Sequence, residues 1–324
     1  MQDKGIIALV QEAPAFLNLP ESIARAVNAI ERVAGAGATV IGFPECWAPG
    51  YPVWLDFAPN AALWDETGAK QLFRLLYENA VVAGDRHLEA IQSAADKTGA
   101  VIVFGAHERA GNTLYNTTFT CVPGGKPLPH RKLVPTYTER LVWGRGDGST
   151  LETVETQHGT VGSLICWEHW MPLARAAMHA KTETIHIAQW PAANDVHQLA
   201  SRHYAFEGRC IVGAAGSYLS KGDVIEGFKS LNETAQEAEA MLQSMPGDNT
   251  TLIHNGGSAV IDVTSSYITE PVYNQPGIIT GAFDLSRVRE AAQTLDTAGH
   301  YSRPDVFNLT VNTKPQSGVT FAAD

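Results

Sequence analysis

Apolar positions along the chain fall into two rhythms. Short, dense apolar runs at 5–10, 38–43, 100–106, 114–122, 160–165, 184–188, 211–215, 258–263 and 278–283 read as strands. Between them, 19–34 carries Ile23, Val27, Ile30 and Val33 at helical spacing, and 67–82, 86–97, 172–180, 196–207, 231–242 and 286–294 read as further helices. Pro44 closes the second strand, and the turn Pro123-Gly124-Gly125 ends the fourth. Strands mostly separated by helices predict an α/β fold in which helices cover a sheet. The stretch 226–249 is polar and weak in pattern, and reads as an excursion on the surface. With no repeat, low-complexity block or linker, residues 1–324 are expected to form one domain with a short tail from about 313.

Composition removes whole classes of function. The 23 Lys+Arg against 34 Asp+Glu leave a net charge of −11, with no basic run, which argues against a nucleic-acid or anionic-membrane binder. The apolar run at 5–10 is too short for a signal-peptide core or a membrane span, so the expected address is the cytoplasm. In that setting the sequons at Asn116, Asn232, Asn249 and Asn308 carry no weight. Cys46, Cys121, Cys166 and Cys210 are far apart and form no CxxC pair, which suits free thiols better than disulfides or a thiolate zinc site. His107-Glu108 lacks the second histidine of a zinc helix, so no metal site is expected. The glycines of Gly144-Arg145-Gly146-Asp147-Gly148-Ser149 resemble a dinucleotide loop only loosely and read as a plain loop.

Three segments carry candidate chemistry. Cys166 ends the strand 160–165 and opens CWEHWMP, so its thiol stands at a strand-to-helix turn on the edge where α/β sheets place their reactive groups. Glu45 follows the strand 38–43 in GFPECWAPGYPVW, and Lys132 lies in HRKLVPTYTER, amid charges and aromatics. Taken singly, Cys166 also fits a buried structural thiol, Glu45 a salt-bridge partner and Lys132 a solvated charge.

Together the segments resemble the nitrilase branch of the carbon–nitrogen hydrolase superfamily, which uses a Glu-Lys-Cys triad in this chain order. The matching residues are Glu45 in FPE, Lys132 in HRKLVPTYTER and Cys166 in CWEH, and the family's second glutamate matches Glu139 in TYTER. The resemblance runs from near Ile6 to the segment 299–305, and CWEH, LVWGRGDG and GHYSRPD point to the nitrile-cleaving branch. It implies an αββα sandwich and hydrolysis of an organic nitrile to acid and ammonia through a covalent cysteine intermediate, with no metal, nucleotide or flavin. An amidase, a cyanide-hydrolysing enzyme and a non-catalytic protein on the same fold are the alternatives.

The implied chemistry has a physical logic. An ordinary thiol is only a few per cent ionised at pH 7, a deficit of roughly 2 kcal/mol, which a nearby base such as Glu45 removes by taking the Cys166 proton and returning it to nitrogen. Lys132 then stabilises the anionic intermediates, a donor of this kind contributing about 3–4 kcal/mol, and Glu139 orients it. The resemblance also sets Trp167 and Trp190 near the substrate's organic group and Tyr51 near the cysteine, as substrate-binding residues of an aromatic-lined pocket that suits an aromatic or arylaliphatic nitrile. It implies self-association into dimers, which nitrilases extend into spirals through tails longer than this one.

Overall fold

The computed structural model describes residues 2–316 and Val319. Strand β1 (Lys4–Gln11) leads through α1 (Leu19–Gly35) to β2 (Val40–Gly42). After α2 (Trp54–Phe57), α3 (Thr67–Glu78) and α4 (Arg86–Thr98) come β3 (Val101–Ala110), β4 (Thr113–Cys121) and β5 (Leu128–Arg131). The second half runs β6 (Val154–Thr156), β7 (Gly159–Ile165), α5 (Pro172–His179), β8 (Ile185–Trp190), α6 (Asp195–Gly208), β9 (Ile211–Gly216) and β10 (Tyr218–Ser220). It continues with α7 (Lys221–Ser230), α8 (Gln236–Ser244), β11 (Leu252–Ile261), β12 (Tyr267–Tyr273), β13 (Gly277–Asp284) and α9 (Ser286–Ala292).

The strands form two sheets, in the orders β13-β1-β2-β3-β4-β5 and β10-β11-β9-β8-β7-β6, with β12 paired to β11. At the centre of each lies a parallel triplet, β1-β2-β3 and β7-β8-β9. Side chains alternate across a strand, and both faces of these triplets are apolar because both are covered. Ile7 and Leu9 of β1 meet Ile185 and Ile187 of β8 between the sheets, while Ala8 and Val10 turn to α1 and α4. On the far side Leu164, Ala188 and Trp190 pack with Ala200, Tyr204 and Ala205 of α6. The architecture is the αββα sandwich.

Local sequence explains the helices. Asn18 caps α1 by accepting from the Glu21 N–H, with Pro20 inside its first turn, and Asp85 caps α4, which ends at left-handed Gly99. The stretch 226–249 is not the surface excursion its polarity suggested. It holds the end of α7 and all of α8, and Phe228, Ala238, Met241, Leu242 and Met245 are buried in an apolar cluster with Tyr51, Trp54 and Trp143. The helix expected over 231–242 starts only at Gln236, and Lys221 closes α8 by donating to the carbonyls of Gln243, Met245 and Gly247. The short strands β5, β6 and β10 and the half-exposed β12 carried too few buried positions to stand out. Beyond Gln316, apart from Val319, the tail expected from about 313 lies outside the described residues. Among the described residues no helix is long and apolar enough to cross a membrane.

Candidate active site

Each sheet delivers its reactive groups from strand ends. Glu45 follows β2, in a segment that lies so close on β3 that a Cβ at Gly105 would sit 2.1 Å from the Pro44 carbonyl oxygen. Only glycine permits that approach. Lys132 follows β5, and its main chain is paired on both sides: its N–H donates to the Asn116 carbonyl, and the Gly146 N–H donates to the Lys132 carbonyl. The glycine run at 144–148 is thus a strap over Lys132, where a Cβ at Gly146 would lie 2.1 Å from the Arg131 oxygen. Cys166 follows β7 with φ of 54°, and Cys46, beside Glu45, has φ of 45°. Both are non-glycine residues in the left-handed region, a strain that persists only where the surroundings hold it.

Glu45, Lys132, Glu139 and Cys166 converge and are buried to 3% exposure or less. The Lys132 ammonium donates to Glu45 Oε1 at 2.8 Å and to both oxygens of Glu139 at 2.9 and 2.7 Å. One oxygen of Glu45, one of Glu139 and Cys166 Sγ lie within 4.8 Å of one another. Ligand-type atoms so close together call for a cation, and the Lys132 ammonium supplies it. Glu139 is fixed further by the Tyr51 hydroxyl at 3.0 Å and the Thr136 N–H at 2.6 Å. Among the described residues, Glu45 Oε2 has no hydrogen bond. A buried carboxylate oxygen without a donor is costly, and it is the atom free to take a proton here.

Burial dominates the electrostatics. It lifts Glu45 to about 7, with Glu139 adding to the rise and Lys132 and Asn116 opposing it. Burial, then Glu45, also pushes the Cys166 thiol well above its ordinary value. Against its own burial, Lys132 is held well above the usual lysine value by Cys166, Glu45 and Glu139. The resting group is therefore a neutral thiol beside a half-ionised carboxylate and a fixed ammonium.

Two residues that sequence reasoning passed over complete the frame. Asn116, noticed only as a sequon, is 1% exposed and donates to Glu45 Oε1 at 2.6 Å. Glu168, noticed only inside CWEH, accepts from the Ile165 N–H at 2.6 Å, the Leu133 N–H at 2.8 Å and the His130 ring at 3.0 Å. It ties the residue before Cys166 to the residue after Lys132. Against burial, His130 and these two N–H groups hold its carboxyl below the ordinary range. A polar residue beside a candidate nucleophile was the available signal; that it bridges two sheets was not legible.

The three aromatic residues separate. Tyr51 is buried beside Trp143 and His254, with its hydroxyl on Glu139. Trp167 is 52% exposed. Trp190 is fully buried in the outer layer, enclosed by His169 and His197, and its N–H donates to Ser201 of α6.

Residues 6–293 match the family model for carbon-nitrogen hydrolases. The chain is 36% identical to an aliphatic nitrilase of Sinorhizobium fredii, covering 98% of each. It is 33% identical to a bifunctional nitrilase/nitrile hydratase of Lupinus angustifolius, covering 97% of this chain and 88% of that one. A CN-hydrolase superfamily protein of Xanthomonas campestris, crystallised with an arsenic adduct in its active site, superimposes with a TM-score of 0.66 at 16% identity. That match covers 96% of this chain and 100% of that one.

Proposed function

This chain belongs to the carbon–nitrogen hydrolase family, and from that premise we propose that it is a nitrilase, a hydrolase that converts an organic nitrile to the carboxylic acid and ammonia. One observation carries the reading: a buried thiol and a buried ammonium share a carboxylate, Glu45, whose second oxygen is unsatisfied.

Because the thiol is neutral, proton transfer accompanies attack. Cys166 Sγ bonds to the nitrile carbon while Glu45 takes its proton and passes it to nitrogen, giving a thioimidate. Lys132 stabilises the negative charge that develops, and Glu139 keeps the ammonium aimed. Water then adds to the carbon, ammonia leaves, and a thioester remains. A second water, deprotonated by Glu45, releases the acid as the C–S bond breaks and the thiol recovers its proton. Loss of the thiol from the tetrahedral species, in place of ammonia, would give the amide. The double name of the lupin relative supports a minor amide output.

Tyr51 and Trp167 are the side chains proposed to meet the organic group, with Trp190 supporting them from the layer behind. The reading extends to a single catalytic unit that self-associates in a reducing compartment. Four free cysteines support the compartment, and Leu173 on α5 with Val196, Leu199 and Phe206 on α6, 45–67% exposed, support the association.

The test is a panel of aliphatic, aryl and arylacetic nitriles, their amides, and cyanide, with ammonia, acid and amide quantified separately. Nitriles should give mainly acid, and Cys166→Ala should abolish ammonia release. Amides hydrolysed at least as fast as the matching nitriles would make the protein an amidase, and undiminished turnover in Cys166→Ala would remove the thiol mechanism.

A further inference from the structure

Behind Cys166, on the helix-covered face of the second sheet, runs a line of buried titratable side chains that the chemistry above does not use. Strand β8 turns Ile185 and Ile187 toward the first sheet, which leaves His186 on the helix side. There His186 is fully buried and His169 and Glu183 are at most 3% exposed. His169 Nδ1 is 2.7 Å from the Cys166 carbonyl oxygen, the two Nε2 atoms of His169 and His186 are 3.0 Å apart, and His186 Nδ1 is 2.8 Å from Glu183 Oε2.

Donor and acceptor counting fixes the protons along this line. A carbonyl oxygen only accepts, so His169 carries its proton on Nδ1. Burial, then His186, lowers His169 to about 3, so the ring is neutral and its Nε2 accepts. His186 must then donate from Nε2, and because the Glu183 carboxylate also only accepts, it donates from Nδ1 as well. Glu183 is held ionised, against burial, by His186 and His179, and receives the Tyr204 hydroxyl too. Beyond it His179, raised to about 9 by Glu183 and Glu207 in spite of burial, pairs with Glu207. Glu207 in turn binds Arg175, whose guanidinium donates to the His169 carbonyl.

We propose that His169, oriented by His186 and Glu183, is a positioning residue that locks the main chain of Cys166 in its left-handed conformation and so aims the thiol. The proposal rests on Cys166 being the nucleophile. A non-glycine residue leaves this backbone region unless a partner holds it, and His169 grips the carbonyl of the strained residue itself. Glu183 accepts from His186 Nδ1 and holds that ring in place, so the line runs from the carboxylate through two imidazoles to the Cys166 carbonyl.

The experiment compares His169→Phe and His169→Asn with the unaltered protein, measuring kcat, KM and the rate at which iodoacetamide alkylates Cys166, read by peptide mass. Asparagine places an amide N–H where Nδ1 was, so it preserves the bond to the carbonyl. His169→Phe should lower kcat by about 10- to 100-fold with KM little changed, and slow alkylation in parallel. His169→Asn should recover most of both rates. Thermal melts identify any variant that is merely unfolded, and the Asn variant keeps the test open if phenylalanine does not fit. Wild-type rates in His169→Phe, or a folded His169→Asn no better than His169→Phe, would overturn the proposal. Ammonia release by Cys166→Ala would instead overturn the nucleophile assignment beneath it.

Discussion

Asn116→Leu isolates one of the forces that oppose the rise of Glu45, the base of the proposed mechanism. The two side chains have similar shape, and the change removes the 2.6 Å hydrogen bond to Glu45 Oε1 while the 2.8 Å bond from Lys132 stays. A hydrogen bond to a charged group is worth about 1.5–3 kcal/mol, and about 1.4 kcal/mol corresponds to one pKa unit. With Lys132 still in place the lower figure applies, so Glu45 should rise from about 7 by about one unit. In the proposed mechanism the ionised form is the active one, so kcat/KM should climb with pH through this pKa, and a higher pKa should move the acid limb toward alkaline pH. At pH 7 the ionised fraction falls from about one half to about one tenth, a loss of about fivefold, whereas near pH 9 the two proteins converge. Asn116 Oδ1 is itself without a partner among the described residues, so leucine also removes an unsatisfied buried atom and the fold should tolerate it. Ammonia release measured from about pH 6 to about pH 10 decides the matter. A loss of equal size at every pH, or an unmoved acid limb, would refute the reasoning.

Glu45→Gln should abolish turnover and yet stabilise the protein. A carboxyl raised from 4.5 to about 7 contributes stability that is complete below its unfolded pKa and lost as pH rises through the folded one. Melts near pH 8 should therefore favour the variant by up to about 3 kcal/mol, with no gain near pH 4, and equal gains at both would deny the shift. Lys132→Met leaves Glu45 and Glu139 buried without their cation, and should lower stability by about 3–5 kcal/mol at neutral pH. Denaturant midpoints should recover in acid as Glu45 takes its proton, and an unchanged neutral midpoint would count against the charge balance described.

What the sequence made legible follows from where periodicity is strong. The central strands and α1 announced themselves because both faces of the parallel triplets and one face of the helix are buried. The three candidate residues Glu45, Lys132 and Cys166 were legible because each follows a strand end, and strand ends are visible in sequence. Asn116 was not, because it lies inside β4, where a polar residue on an alternating strand looks solvent-facing until the opposing carboxylate is known. Trp190, also at a strand end, is fully buried with its N–H on Ser201 of α6, a packing its sequence position did not reveal. The segment 226–249 misled through composition, since α7 and α8 bury narrow apolar stripes under mostly polar surfaces.

Glu168 has a mechanical consequence. Sulfur and ammonium come from opposite sheets, and layered sheets can shear against each other as a protein warms. A single carboxylate that grips the main chain next to both works as a rivet through the two plates, so their spacing at this point is insulated from slippage elsewhere. Catalytic geometry should then persist until the whole sandwich comes apart, and heat inactivation should track global melting rather than precede it.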